Sequence, residues 1–411
     1  MKATVLILLD AMRWDYIDKD VTPFLASCAE EGHHVHKVIP GIGFCERAEI
    51  LTGLPPEDTG YFTAIGYDPE RSPYKKFRIA LSFLAFTERL IPTTFYAKAI
   101  RKLIKFAVKS HPHSMKPYRI PLNLLHKFAL TEDYYDHRDT RAFEHPNLLA
   151  MLEDAGLTYF YDSFTALNLI SGGSDKERFA LALAAAEKGH ALYFVFNSVP
   201  DAFGHKYGGN APETKTALSK MDSSLQDFVE EFESRRPDSR FIFVGDHGMV
   251  DVEKTIDVEE VIKTKAGKAK LRLGKDYTYF LDSTLCRIWL HNSKARAQFA
   301  NAIIQDESLL KNGVFVDEEI AKRYHIPFGD QRYGDILWWA NAGTMVLPDF
   351  FHRKDESVKG MHGYDPDHSH SQGSCIVVGA GQASCTSPQL PLTAVNALLK
   401  ESITAQTGID I

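Results

Sequence analysis

Paired cysteines, long apolar runs and internal repeats are all missing from this chain, and each absence removes a class of protein. The five cysteines among its 411 residues, Cys28, Cys45, Cys286, Cys375 and Cys385, are odd in number and show no CxxC or other paired spacing. Neither a disulfide framework nor a thiolate zinc site is supported, and a reducing, cytoplasmic location is expected. The apolar run at 3–9 is short, ends in Asp10 and has no small-residue cleavage site behind it, which argues for a first strand instead of a signal peptide. No stretch approaches the roughly 20 apolar residues of a membrane-spanning helix. What is present is a 44% hydrophobic composition without low-complexity tracts, enough for one large domain with insertions or for two domains.

Acid is scarce in one place only. The formal net charge is -7, yet between Arg71 and Leu130 thirteen lysines and arginines face a single acid, Glu88. Within this stretch, residues 99–109 place Ile100, Leu103, Ile104 and Ala107 on one helical face and Arg101, Lys102, Lys105 and Lys109 mostly on the other. Three readings are open for such a basic amphipathic helix. It is a cap whose apolar face packs on the main domain, a peripheral contact of 71–130 with an anionic membrane, or a cradle for a polyanionic substrate. Nothing implies a nucleic-acid polymer as partner.

Strand and helix patterns alternate at both ends of the chain, which predicts an α/β fold with a doubly wound, mostly parallel sheet, helices on both faces and inserted cap segments. Residues 1–65, 141–251 and 351–411 read as a metal-binding α/β core, 66–140 as a basic helical insertion, and 252–350 as an α+β cap insertion. Acidic residues and histidines gather where apolar strands of the core end: Asp10 after the run at 3–9, Asp201 and His205 after 191–196, Asp246 and His247 after 241–244, and His362 in a Gly-Met-His-Gly-Tyr-Asp segment at 360–365. Open α/β sheets bind ligands beyond the carboxyl ends of their strands. Burying an acid and a histidine there needs compensation, which a cation supplies. Three carboxylates and three imidazoles therefore predict two adjacent divalent metals at one sheet edge, with zinc, manganese or iron suited to the donors. Asp365 is expected to orient His362. His33, His34 and His36 read as a polar strand face, His368 and His370 as an exposed loop, and Trp338, Trp339, Phe350 and Phe351 as core or pocket wall.

Together, Asp10, the Leu-Thr-Gly-Leu-Pro-Pro-Glu-Asp-Thr-Gly segment at 51–60, Asp201 with His205, the Gly-Asp-His-Gly-Met segment at 245–249 and His362 resemble the alkaline phosphatase superfamily, in its nucleotide pyrophosphatase/phosphodiesterase branch. The likeness covers roughly 1–65, 145–250 and 355–385. It implies one metal, usually zinc, held by Asp10, Asp246 and His247, and a second held by Asp201, His205 and His362. Three N/O ligands on each ion leave an open position for chemistry, as in-line displacement at phosphorus in a small phosphorylated substrate requires. The implied activity is hydrolysis of a phosphodiester, pyrophosphate or phosphomonoester. Metal-dependent binding of a phosphorylated ligand without turnover, and phosphotransfer to lipid or sugar phosphates at a membrane, are the alternatives.

One departure from the family bears on the chemistry. Its nucleophile, a Thr, Ser or modified Cys, lies ten residues before the Gly of the Thr-Gly pair, and that count reaches Gly43 here. Cys45 at a helix start could serve as a thiolate, or a metal-bound hydroxide could attack with Glu46 as base or extra ligand. Arg47 is suited to hold a phosphate oxygen. The sulfatase Cys-x-Pro-x-Arg motif is absent, so formylglycine is not implied.

Overall fold

A computed structural model describes residues 2–165, 167, 169, 173–379 and 387–411; Cys385 lies outside them. The central sheet has seven strands in the order Gln389–Pro391, His33–Ile39, Gly373–Gly379, Arg240–Val244, Thr4–Leu9, Leu192–Asn197, Tyr159–Tyr161. Every neighbouring pair is parallel except the two made by Gly373–Gly379. The mostly parallel, doubly wound α/β fold expected from the sequence is the one observed.

Burial on both faces explains the unbroken apolar strands. All six residues of Thr4–Leu9 are buried. Leu6 and Leu8 join Leu398, Leu399 and Ile403 of the C-terminal helix on one side. Val5, Ile7 and Leu9 join Leu218, Leu225 and Phe232 of the long helix Pro212–Arg235 on the other.

The two insertions do not stand apart. Tyr277–Leu281, Leu285–Leu290, Ile336–Ala340 and Gly313–Phe315 form an antiparallel sheet. Its Tyr279, Trp289 and Trp338 share one apolar core with Met115, Leu124 and Phe128 of the basic insertion. Trp338, Trp339 and Phe350 are all buried, as their size suggests. The face assignment within 99–109 needs correcting: Ile100, Ile104 and Val108 point inward, whereas Leu103 and Ala107 are exposed.

Candidate metal centre

Three adjacent strands of the sheet, Arg240–Val244, Thr4–Leu9 and Leu192–Asn197, end at one edge, and their carboxyl ends deliver five of the six predicted ligands. Asp10 follows Leu9 directly. Asp246 and His247 follow Val244 after Gly245, where a Cβ would meet the Met12 carbonyl oxygen at 2.0 Å; only glycine lets the two segments pass. Asp201 and His205 lie on the short helix Val199–Tyr207, which begins with a proline in its first turn. Four residues apart, they share one face of that helix. His362 arrives by a separate route, after Gly360–Met361 pairs with Val250–Asp251.

Hydrogen bonds fix which atoms face the centre. His247 Nδ1 is 2.9 Å from the Gly248 carbonyl oxygen, and its Nε2 lies 3.2 Å from Asp10 Oδ1. His205 Nδ1 is 2.9 Å from the Gly360 carbonyl oxygen, and its Nε2 lies 3.0 Å from Asp201 Oδ1. With Nδ1–H donated to backbone, each Nε2 lone pair is left for an ion, the usual support of a metal-binding histidine. The amides of Ala11 and His247 both donate to Asp246 Oδ1, at 3.2 and 3.0 Å, which turns the other oxygen free.

The ligand atoms fall into the two expected triads, Asp10–Asp246–His247 and Asp201–His205–His362, each with atoms within 4.8 Å of one another. The triads adjoin: the His247 and His362 rings stack at 4.1 Å between centroids, and His362 Nε2 is 3.6 Å from Asp201 Oδ1. His362 Nδ1 is buried without a hydrogen-bond partner among the described residues. Asp365 does not orient it, because its Oδ1 accepts from Tyr324 and from the Asp367 amide. Burial together with Asp201 and Asp246 pushes Asp10 up to about 8, with His247 opposing. Burial also lifts Glu46 to about 7. Carboxylates this crowded are relieved by a multivalent cation, so the donor set fits a metal pair.

Glu46 opens the helix Glu46–Thr52 and reaches the centre. A carboxylate oxygen lies within 4.8 Å of ring nitrogens of both His247 and His362, one from each triad. Its neighbour is different. Cys45 is buried, its Sγ lies 3.9 Å from Thr131 Oγ1, and burial with Glu132 and Glu46 pushes its thiol well up. That opposes the thiolate considered for Cys45, and the residue is absent from the cavity wall. Gly43 explains the missing side chain: at φ +110° a Cβ would meet the Phe62 carbonyl oxygen at 1.8 Å. The backbone here has no room for a serine or threonine.

Both triads, Glu46 and Arg47 open on a cavity of about 480 Å³. Arg47 lies over the Phe196 ring at 4.7 Å and is surrounded by Tyr161, Asp133, Glu132 and Asp162, so its charge is shared with these acids. Of the rest of the wall, the sequence offered only Phe351 as a pocket residue. The basic insertion contributes Tyr118, Glu132 and Asp133; the cap contributes Asp282 and Ser283; Phe351, His352 and Glu356 follow it. Ser283 Oγ donates to Asp349 Oδ2 at 2.6 Å, and His352 Nδ1 is 3.0 Å from the same oxygen. A strand ending in an acid, here Tyr277–Leu281 before Asp282, was the one available signal.

The α/β sheet thus carries two adjoining acid–histidine triads at its edge, with a cavity above them, a candidate centre for a pair of metal ions. The type I phosphodiesterase/nucleotide pyrophosphatase family model matches residues 4–365, and the chain belongs to that family. It is similar to an uncharacterized pyrophosphatase/phosphodiesterase of Schizosaccharomyces pombe, 27% identical over 60% of this chain and 45% of the relative. It is also similar to human ectonucleotide pyrophosphatase/phosphodiesterase family member 5, 21% identical over 88% of this chain and 65% of the relative. The chain thus spans less than two thirds of either relative. Solved structures of the human protein and of an inactive murine form in complex with AMP match with a TM-score of 0.69 and 18% identity, covering 98% of this chain and 95% of theirs.

Proposed function

We propose that this protein hydrolyses a phosphodiester or pyrophosphate bond in a small substrate by in-line attack of water at phosphorus, with a divalent metal pair, zinc first among the candidates, held by the two triads. When bound, the pair supplies positive charge to the phosphoryl, attacking and departing oxygens. The observation that carries the reading is Glu46, whose carboxylate reaches ring nitrogens of both triads, three residues after the glycine that leaves the family's nucleophile position without a side chain. Glu46 takes the proton of the attacking water, the new P–O bond forms as the ester or anhydride P–O bond breaks, and the departing oxygen leaves on the opposite side. Asp10, Asp246, His247, Asp201, His205 and His362 hold the metals, and Arg47 supports the phosphoryl group.

The cavity favours a diester or pyrophosphate over a monoester. Its volume lies in the range of small-molecule sites, and Phe44, Phe196 and Phe351 offer apolar faces to a second substituent. Asp133 and Glu356, which line the same cavity, disfavour the dianion of a monoester more than the monoanion of a diester; a disubstituted pyrophosphate, also a dianion, is set apart from a monoester by its second substituent alone. A nucleotide-bearing substrate is consistent with the AMP complex of the murine relative.

The test is Glu46→Gln assayed on a bis-aryl phosphate, with bound metal counted by elemental analysis. Two metals per chain with turnover reduced about a hundredfold or more is the expected result for a lost general base. Loss of one metal together with activity would make Glu46 a ligand instead. Metal-loaded wild-type protein that turns over no phosphoester or pyrophosphate would leave a phospho-ligand binding protein as the better reading.

A further inference from the structure

The helical hairpin of the basic insertion turns apolar side chains toward water. Residues 77–106 carry nine of the fifteen large hydrophobic residues that stand exposed among those described, so the patch is local. Helix Arg78–Leu90 buries only Leu81. At roughly 100° per residue, Ile79, Phe83, Phe86 and Leu90 fall within about 60° of one another on the opposite side, and all four are more than half exposed. A helix bathed in water normally turns such a stripe inward.

The second helix, Thr94–Val108, has three arcs in cross-section. Ile100, Ile104 and Val108 are buried. Next to them lie the exposed Lys98, Lys102, Lys105 and, at the helix end, Lys109. Beyond the lysines come Phe95 at 83%, Leu103 at 63% and Phe106 at 78% exposure. None of those four lysines has an ion-pair partner among the described residues. The segment's one acid, Glu88, is taken internally by Arg101 at 2.5 Å. The hairpin is braced by that pair and by a 2.9 Å hydrogen bond from Tyr96 Oη to Thr87 Oγ1.

We propose that this hairpin is an interfacial anchor for an anionic lipid bilayer, its Phe and Leu side chains entering the headgroup–acyl boundary while the adjoining lysines meet lipid phosphates. Lysine stems beside an apolar stripe can hold their charges at the headgroup level while the rings sink. Among the described residues no helix is long and apolar enough to cross a membrane, so the contact lies in the interface plane. A second copy of the chain is a poor occupant, because a two-fold interface would set the same lysine arc against itself. Nucleic acid would satisfy the lysines and leave the rings in water. The anchor is tied to the site: Arg101 Nε donates to the Tyr118 carbonyl oxygen at 2.9 Å, and Tyr118 lines the cavity.

Vesicle flotation of the full chain tests this, using phosphatidylcholine alone and with roughly 30% phosphatidylglycerol. The expected result is at least about tenfold stronger partition onto the anionic vesicles, falling as salt rises. Phe83→Ser with Phe86→Ser should remove most of it. Lys98→Glu with Lys105→Glu should abolish the preference for anionic lipid. Turnover of a soluble bis-aryl phosphate, unchanged in both variants, checks that they fold. Wild-type protein that stays unbound, binding indifferent to lipid charge, or serine variants that float like wild type would each overturn the proposal. So would a dimer seen by light scattering that the serine substitutions dissolve, because the stripe would then be a self-association surface.

Discussion

The two walls of the cavity are built on opposite terms. The core wall consists of side chains at the ends of strands buried on both faces, and each of its histidines except His362 has its ring orientation set by a backbone carbonyl. The facing wall comes largely from the two insertions and the segments beside them, whose acids and hydroxyls, Glu132, Asp133, Asp282 and Ser283, follow short strands and turns. On the proposed reaction, the core wall would place charge at phosphorus, and the wall of inserted segments would decide what hangs from it. Chemistry and selectivity should therefore separate under mutation.

The largest effect belongs to the core. Asp246 is buried, with one oxygen pinned by two backbone amides; Asp246→Asn keeps its shape and removes a charged ligand. Metal content should fall to about one ion per chain, and turnover of diester, pyrophosphate and monoester alike should fall by about a thousandfold or more. A variant that lost only one of these substrates would break the division between the walls. On the facing side, Glu356 is exposed and lines the cavity. Glu356→Gln removes one negative charge from the substrate's surroundings. The ratio of monoester to diester kcat/KM should rise about twofold to fivefold with diester kcat unchanged, and the rise should shrink in high salt.

What could be read from the sequence follows the same division. Asp10, Asp201, His205, Asp246, His247 and His362 were legible because an apolar strand that stops at an acid or histidine beside glycine has few other uses, and the structure brings all six together. The parallel sheet was legible from the same runs. Glu132 and Asp133 were not, because the strand before them, Phe128–Leu130, is three residues long and sits in a segment whose other charges are almost all basic. Asp282 carried one local signal, its place at the end of the strand Tyr277–Leu281, whereas Ser283 and His352 are brought to the site by the packing of the cap, which no local pattern encodes. Leu103 was placed on the wrong face because helical periodicity shows which residues align and leaves open whether their side faces protein or water.

The smallest effect is expected at Cys45, which lies one residue before Glu46 and differs from it in every functional respect. Its sulfur is buried beside Thr131 and outside the cavity lining, and burial, with Glu132 and Glu46 nearby, pushes its thiol well up. Cys45→Ala deletes one buried atom that behaves as a small hydrophobe. The expected cost is about 1–2 kcal/mol in a denaturant or thermal melt. Hydrolysis of a bis-aryl phosphate should stay within about threefold of wild type, far above the loss from removing a nucleophile. A hundredfold loss with full metal content would return the attacking role to sulfur and make Glu46 its base. The pair of substitutions at 45 and 46 thus decides which side chain has taken over the place that Gly43 cannot fill.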